Sequence, residues 1–503
     1  MELPILIVGA GPTGLVMALR LAKHHVPFRI VEKNRGPGEA SRALVVHART
    51  LEFYQQMGFA EEVVKEGIQV HSGRIREGTV EKAEIKIQDF GKGLSPYPFA
   101  LSYPQDLHEK LLVKKLQEAG IEVEWNTELA AFKDDGEKVT AVLVKNGAQE
   151  TSEYSYICGC DGAHSTVRRT LGLDFPGGTY EETFFVADVE TDTENLRSNS
   201  LNIYLQEEDF FLYMPVRTTG MVRVIGVIPK AFRKDDIQFL DFQPDIEEKT
   251  GLAFKKVNWF STYKVHHRVS GHFRKGRAFI AGDAGHIHSP AGGQGMNTGI
   301  GDAVNLAWKL AAVSLGKADP SILDTYEDER IAFAKTLVMT TDKAFSVLIG
   351  KSFRSKLLKK LGLSYAAPFL FSSSEKARKA AFNAVSQIRI NYRKSGISEG
   401  RAGKILGGDR LPWTGDNFQP LHAQDWQLHV YGTAKEPLKE TAAALGLRLH
   451  EFPWNKEAEN SGLMRDALYL VRPDGYVSLA LAEQDAEKLQ IYMEKHALSP
   501  LQK

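Results

Sequence analysis

The stretch ILIVGAGPTGLVMALRLAKHHVPFRIVEK, residues 5–33, constrains the fold more than any other part of the chain. The apolar run at 3–8 reads as a parallel strand buried on both faces. Three glycines follow, and Leu15, Val16, Leu19 and Ala22 then fall at helical spacing over residues 12–24. Residues 27–32 are a second strand ending on Glu32. Strand, glycine turn, helix and strand make a βαβ unit in which each glycine has its own task. Gly9 permits the tight turn, Gly11 lets the backbone approach a pyrophosphate, and Gly14 lets helix and strand pack closely. The helix N-terminus at Pro12 and Thr13 offers free N–H groups and partial positive charge to phosphates. Glu32, with Lys33 beside it, is placed to accept both ribose hydroxyls of an adenosine. The unit reads as a dinucleotide site. Its carboxylate disfavours a 2′-phosphate, and its spacing leaves FAD and NAD both open.

At 503 residues, with 43% hydrophobic and 25% charged residues, the chain has room for about three domains of ordinary globular composition. Lys+Arg and Asp+Glu balance at 63 each, which argues against nucleic acid as a partner and against an acidic solvating tail. Cys158 and Cys160 are too few and too close for a disulfide framework and read as small buried residues in a reducing compartment. Residues 3–22 are rich in apolar side chains, but Glu2 stands where a signal peptide needs basic charge and the glycines interrupt the run. No uninterrupted apolar stretch reaches the roughly 18 residues of a spanning helix. The expectation is a soluble, cytoplasmic protein with no membrane partner.

Further along, helical patterns recur at 49–57 and 105–119, and 121–147 reads as two strands around an Asp-Asp-Gly turn. From about 178 to 270 the texture becomes that of an antiparallel sheet, as in SLNIYLQEEDFFLYMPVRTTGMVRVIGVIP. GRAFIAGDAGH (276–286) returns to a buried strand, followed by a glycine-rich turn and a helix over about 299–315. Residues 321–395 are helical in pattern, and SGISEGRAGKILGGDRLPW (395–413) has the Gly and Ser density of a linker. Strands at 426–431 and 467–471, a hairpin turn at RPDGY (472–476) and a helix at 483–495 then suggest a separate small α/β domain. Two more segments carry the texture of a site. CGCDGAHSTVRRTLG (158–172) is a strand end, Asp161-Gly162 and a helix bearing Arg168. RAFIAGDAGHIHSPAGGQGMNTGIGDAVNLAWKL (277–310) is a strand end, Asp283, a glycine-rich run and a strong helix.

These three segments, in this order, resemble the FAD-dependent aromatic hydroxylases, the single-component flavoprotein monooxygenases related to 4-hydroxybenzoate hydroxylase and phenol hydroxylase. The chain has the look of the polyketide and antibiotic hydroxylases among them. The resemblance covers about residues 3–345, and GDRLPW and YLVRPDGYV extend it to the thioredoxin-like C-terminal domain many of them carry. It implies an α/β fold. A discontinuous Rossmann-like FAD-binding domain at 1–177 and 274–345 would hold an inserted β-sheet substrate domain at 178–273. A helical segment at 346–398 and a thioredoxin-like α/β domain at 399–503 would follow. That tail has no Cys-x-x-Cys pair, which excludes dithiol chemistry in it.

The resemblance also assigns site residues. Asp283 carries over as the ligand of the FAD ribityl chain. Pro290 and the run Gly292-Gly293-Gln294-Gly295-Met296-Asn297 resemble the loop against the isoalloxazine, where N–H groups before a helix would favour negative charge on reduced flavin. Asp161-Gly162 serves FAD and NADPH in the family, with Arg168 as a charge partner. Arg42, in ASRALVVHART, and Gln105, before DLHEKLLVKKL, match residues near the ribityl and phosphate groups. His286 and His288 lack the further thiol or carboxylate of a zinc set, so no metal is expected.

The implied activity is hydroxylation of a phenolic or polycyclic aromatic substrate. NADPH or NADH acts as a transient cosubstrate, and O2 adds to the flavin as a C4a-hydroperoxide. The flavin carries the chemistry and no catalytic side chain is assigned. There is no second glycine fingerprint, so the nicotinamide would bind transiently in a groove. Phe211, Tyr213 and Pro215 alternate along one strand and would share one face, which is the candidate substrate surface, and Arg217 continues the series. Sheet core is an equally good reading for each. A homodimer is compatible with this scheme. Two other functions stay open: a flavin reductase or oxidase of quinone-like compounds without oxygen insertion, and a non-catalytic flavoprotein that sequesters a drug or pigment.

Overall fold

The computed structural model describes residues 3–38, 43–191, 199–205, 210–216, 220–232, 234, 236–349, 370–371 and 373–502. Arg42 and Arg217 lie outside them. Ile5–Val8 and Phe28–Glu32 pair in parallel around the helix Pro12–Lys23, as their unbroken apolar runs require. On the other side of the first strand lies Tyr156–Gly159, and beyond it Ala278–Ile280. Val8 is level with Gly159, and Gly159 with Ile280. Three segments distant in sequence thus leave one sheet at the same carboxyl edge, where open α/β sheets hold their ligands.

The middle sheet has eight strands. Its centre is the expected antiparallel set, Gly177–Thr191, Met221–Val227, Phe210–Pro215 and Ser200–Leu205, flanked by Phe254–Val269. Three strands come from outside the 178–273 segment, and two of them, Ser72–Glu77 and Val80–Lys86, complete one edge. The second of these alternates polar and half-buried residues, as an exposed edge strand does, and carries little hydrophobic signal. The opposite edge is His286–Ile287, so the glycine-rich segment is tied directly into this sheet.

In the C-terminal domain, Gln427–Tyr431, Glu436–Ala444, Arg448–Phe452, Lys456–Asn460, Leu468–Val471, Val477–Leu481 and Ala486–Lys495 follow the β-α-β-α-β-β-α order of a thioredoxin-like fold. Residues 395–413 are not a linker. They contribute strands Glu399–Ala402 and Ile405–Leu406 and bury Ile397, Ala402, Ile405 and Leu411. Their glycines serve close packing: a Cβ on Gly400 would lie 2.2 Å from the Ala480 carbonyl oxygen, and one on Gly408 2.4 Å from the Arg393 nitrogen. This domain shares its core with the first. Trp308 meets Trp426 edge to face, with ring centroids 5.5 Å apart.

Candidate functional site

The glycines of the first turn divide as their tasks demand. Gly9 has φ +103°, and a Cβ there would lie 2.3 Å from the Cys160 carbonyl oxygen. A Cβ on Gly14 would lie 2.0 Å from the Gly9 carbonyl oxygen. A Cβ on Gly11 would meet nothing within 4 Å, so the backbone there faces open space at the helix start. The helix Pro12–Lys23 has no side-chain cap and no acid in its first turn, leaving its N–H groups and positive end to a ligand. Glu32 Oε2 accepts from the Ala10 N–H at 2.9 Å, and Oε1 accepts from the Asn34 N–H at 3.0 Å. The carboxylate is thereby held beside the turn, half-buried, while Lys33 is exposed.

Asp161 caps the helix that follows it, accepting from the Thr166 N–H at 2.7 Å through Oδ2. Its other oxygen, Oδ1, is buried and without a hydrogen-bond partner among the described residues. Gly162 turns the chain at φ +75°. Arg168 is buried: it donates to the Ala284 carbonyl at 2.8 Å and lies over Phe175 at 3.9 Å. It ties the second motif to the third. Thr13 ties the first to the third, since Cβ atoms on Gly282 and Gly299 would come within 2.6 and 2.4 Å of its Oγ1. Asp283 stands exposed between buried Gly282 and Ala284 at this junction.

The glycine-rich run turns through φ +75° at Gly292 and +62° at Gly293. Pro290 is exposed, and Gly293, Gly295 and Met296 are half-buried. The helix Gly295–Ser314 that follows also begins without a side-chain cap or an acid in its first turn.

An open cradle at Gly11, an unmatched buried carboxylate oxygen on Asp161 and two uncapped helix starts suit a long, anionic, polar ligand. Residues 2–341 match the family model described as FAD binding domain. The 6-methylpretetramide 4-monooxygenase of Streptomyces rimosus is 35% identical over 72% of this chain and 65% of its own length. The 12-dehydrotetracycline 5-monooxygenase/anhydrotetracycline 6-monooxygenase of Streptomyces rimosus subsp. rimosus is 32% identical over 96% of each chain. The chain belongs to the FAD-dependent aromatic hydroxylases. The fold of this hydroxylase matches that of the flavin-dependent monooxygenase PieE, solved in complex with FAD and substrate, at TM-score 0.83 over 99% of both chains and 24% identity. It is an FAD-binding enzyme of mixed α/β architecture.

Other side chains of the hydroxylase hold the site's shape. Asn297 uses every hydrogen-bonding position of its side chain. Nδ2 donates to the Val45 and Gly293 carbonyls at 2.8 and 2.9 Å, and Oδ1 accepts from the His47 N–H and Thr50 hydroxyl at 2.9 and 2.8 Å. It clamps the glycine-rich run to the 45–50 segment. Gln105 likewise binds the chain, accepting from the Ala43 N–H at 3.1 Å and donating to Glu109 at 2.8 Å. His286 donates to Asp302 at 2.6 Å, and His288 Nδ1 meets the Ser289 carbonyl at 2.8 Å.

Three polar residues escaped the sequence reading. Buried His47 reaches the Gly292 carbonyl at 2.8 Å, and burial lowers its pKa to about 4. Asp302 accepts from the Gly282 N–H at 2.9 Å and from Arg330 at 2.6 Å. Burial alone would raise its pKa, but Arg330 and His286 hold it below the usual carboxylate value. The available signal was an acid in the middle of the apolar pattern GIGDAVNLAWKL.

The candidate substrate strand alternates as expected, and Phe211 and Tyr213 follow the sheet-core alternative. Phe211 and Tyr213 point away from the glycine-rich run into a cluster with Phe239, Phe242 and Phe254. Leu212 and Met214 take the other face, with Leu44 and Val45. Val45 in turn abuts the glycine-rich run, for a Cβ on Gly293 would lie 2.9 Å from its Cβ. Pro215 is buried, and its carbonyl accepts from Ser102 at 2.6 Å. Alternation identifies two faces but not which one is inward. A layer formed by 237–254 covers the face taken by the aromatics, and the sequence pattern of those residues did not announce it. Level with Met214, Arg223 and Asp188 form a buried two-bond ion pair at 2.7 and 2.8 Å.

Proposed function

We propose that this hydroxylase inserts oxygen into a phenolic or polycyclic aromatic substrate, consuming NADH or NADPH and O2. The observation that carries the reading is the convergence of the three motifs on one carboxyl edge, with an apolar sheet face next to it. FAD would be held by Glu32 at its adenosine ribose and by the Gly11 backbone and the Pro12–Lys23 N-terminus at its pyrophosphate. Asp161, Gly162, Asp283, Arg42 and Gln105 would serve the middle of the cofactor, and residues 290–297 its ring. When bound, the flavin supplies the electron transfer and O2 activation.

The chain's own part is orientation, charge and dryness. The N-terminus of Gly295–Ser314 favours negative charge at the ring edge nearest to it. Ile203, Leu212 and Ile225 are level with one another across three strands and half-buried, an apolar row suited to a flat aromatic ring. Such a row keeps water from the reacting atoms.

The test is NADH and NADPH oxidation by the purified protein across a panel of phenols and polyphenols, in the presence of labelled oxygen. Substrate-stimulated oxidation with one labelled oxygen atom in the product is expected. Stimulated oxidation without label would give the reaction to a reductase or oxidase instead. A flavin that neither nucleotide reduces would leave a binding protein.

A further inference from the structure

The turn at Arg472–Tyr476 joins two strands of the C-terminal domain, yet residues 471–480 are all buried. Hairpin turns normally lie at the surface because their backbone groups need water. Here four helices of the flavin-binding domain supply partners, two to its backbone carbonyls and two to its charged side chains. Arg20 of Pro12–Lys23 donates to the Pro473 carbonyl at 2.9 Å. Arg49 of Ala48–Met57 donates to the Asp474 carbonyl at 2.9 Å. Trp308 of Gly295–Ser314 donates to the Asp474 carboxylate at 3.2 Å. Glu329 of Asp324–Ile349 accepts both arms of Arg472 at 2.8 and 2.9 Å.

From the turn, contacts continue to the cofactor edge. Tyr476 packs on Tyr392 with ring centroids 4.3 Å apart, and Arg472 lies over Tyr392 at 5.2 Å. The Tyr392 hydroxyl accepts from Arg330 at 3.0 Å. Arg330 donates to Asp302 at 2.6 Å and to the Thr298 carbonyl at 3.1 Å. Asp302 receives the Gly282 N–H, the first residue of the turn that presents Asp283. Every member of this chain is buried, so a shift at one end is passed on by close packing and hydrogen-bond geometry.

We propose that the C-terminal turn is a positioning element of the flavin site: Arg472 and Tyr392 hold Arg330, Arg330 holds Asp302, and Asp302 holds the Gly282–Ala284 turn in its ligand-receiving shape. This rests on the assignment of Asp283 to FAD made above, and it is independent of oxygen insertion. It gives the thioredoxin-like domain a role that needs no thiol.

The experiment uses full-length protein stripped of flavin. Tyr392→Phe removes one hydroxyl and keeps the ring, and Arg472→Lys keeps the charge. FAD affinity is measured by flavin fluorescence, and thermal unfolding is followed in the flavin-free state. Expected are an FAD Kd at least five-fold weaker for each variant, with a Tm of the stripped protein close to that of the parent for Tyr392→Phe and lowered for Arg472→Lys, whose buried two-bond contact with Glu329 a lysine cannot reproduce. In Asp302→Asn, adding Tyr392→Phe should weaken FAD no further, because both act through one chain of contacts. A lowered Tm with FAD affinity within two-fold of the parent would overturn the proposal and leave a purely structural domain. Additive losses in the double variant would overturn it too. Asp283→Ala is measured in parallel. Full affinity there removes Asp283 from the cofactor site, and the Tyr392 and Arg472 results still decide whether the turn tunes that site.

Discussion

Two glycines three residues apart have opposite sensitivities. Gly11 faces open space and Gly14 faces a carbonyl oxygen. Gly11→Val should therefore leave the flavin-free protein with its parent Tm and abolish flavin absorbance after purification, because the new side chain meets only the ligand. Gly14→Ala should fail in the reverse way, lowering Tm or preventing folding before any ligand is involved. Equal Tm losses in the two variants would contradict this division. His47 supplies a pH dependence with a definite sign. Its folded pKa, near 4, is below the ordinary value of 6.5, so the unfolded chain binds the extra proton between those limits. Its contribution to stability is complete above about pH 6.5 and is lost as pH falls toward 4, on the order of 3 kcal/mol in all. His47→Gln should make the curve of Tm against pH shallower over that window without flattening it, since burial also lowers the pKa of His24, His108, His288 and His429, whereas parallel curves would place the acid sensitivity entirely in those residues.

Among the elements, the strand Phe210–Pro215 separates stability from recognition by side-chain parity. Phe211→Ala opens a cavity in an aromatic cluster and should cost about 3–5 kcal/mol of stability, with little change in KM for the aromatic substrate. Leu212→Ala should do the opposite, raising KM about ten-fold at nearly constant Tm. A common effect of both on KM would mean that the strand faces the ligand differently. The same strand shows where sequence was readable. Its two-residue alternation was plain, as were the βαβ glycines, because both are local patterns imposed by backbone geometry. The direction of its faces depended on the 237–254 layer, a tertiary contact with no local signature. Residues 395–413 misread for a related reason: glycines demanded by backbone contact at Ala480 and Arg393 look like the glycines of a flexible tether. Asp302 showed only as an acid within an apolar helix, and its pairing with Arg330 stayed hidden because a buried ion pair 28 residues apart leaves no spacing rule to detect.

At the scale of the whole molecule, the core is continuous across residue 398, where the sequence suggested a boundary, and it is joined there by buried charges. Removing the residues after 398 would take Arg472 from Glu329, both buried, and the half-buried Arg410 from the buried Glu52. Each broken buried pair costs about 3–5 kcal/mol, which together approaches the total stability of a typical domain. A chain ending at 398 should accordingly be insoluble or flavin-free when expressed, and recovery of a soluble, yellow, two-state-folding fragment would refute this. The buried turn also has a consequence for biosynthesis. Arg20 and the carbonyl it binds at Pro473 are separated by 453 residues. At roughly 5–20 residues per second, the ribosome needs on the order of 20–90 s to span that gap. Throughout that interval the nascent helices carry arginines whose acceptors have not been made, so the buried turn can seat, and satisfy Arg20, only after residue 473 has been synthesised.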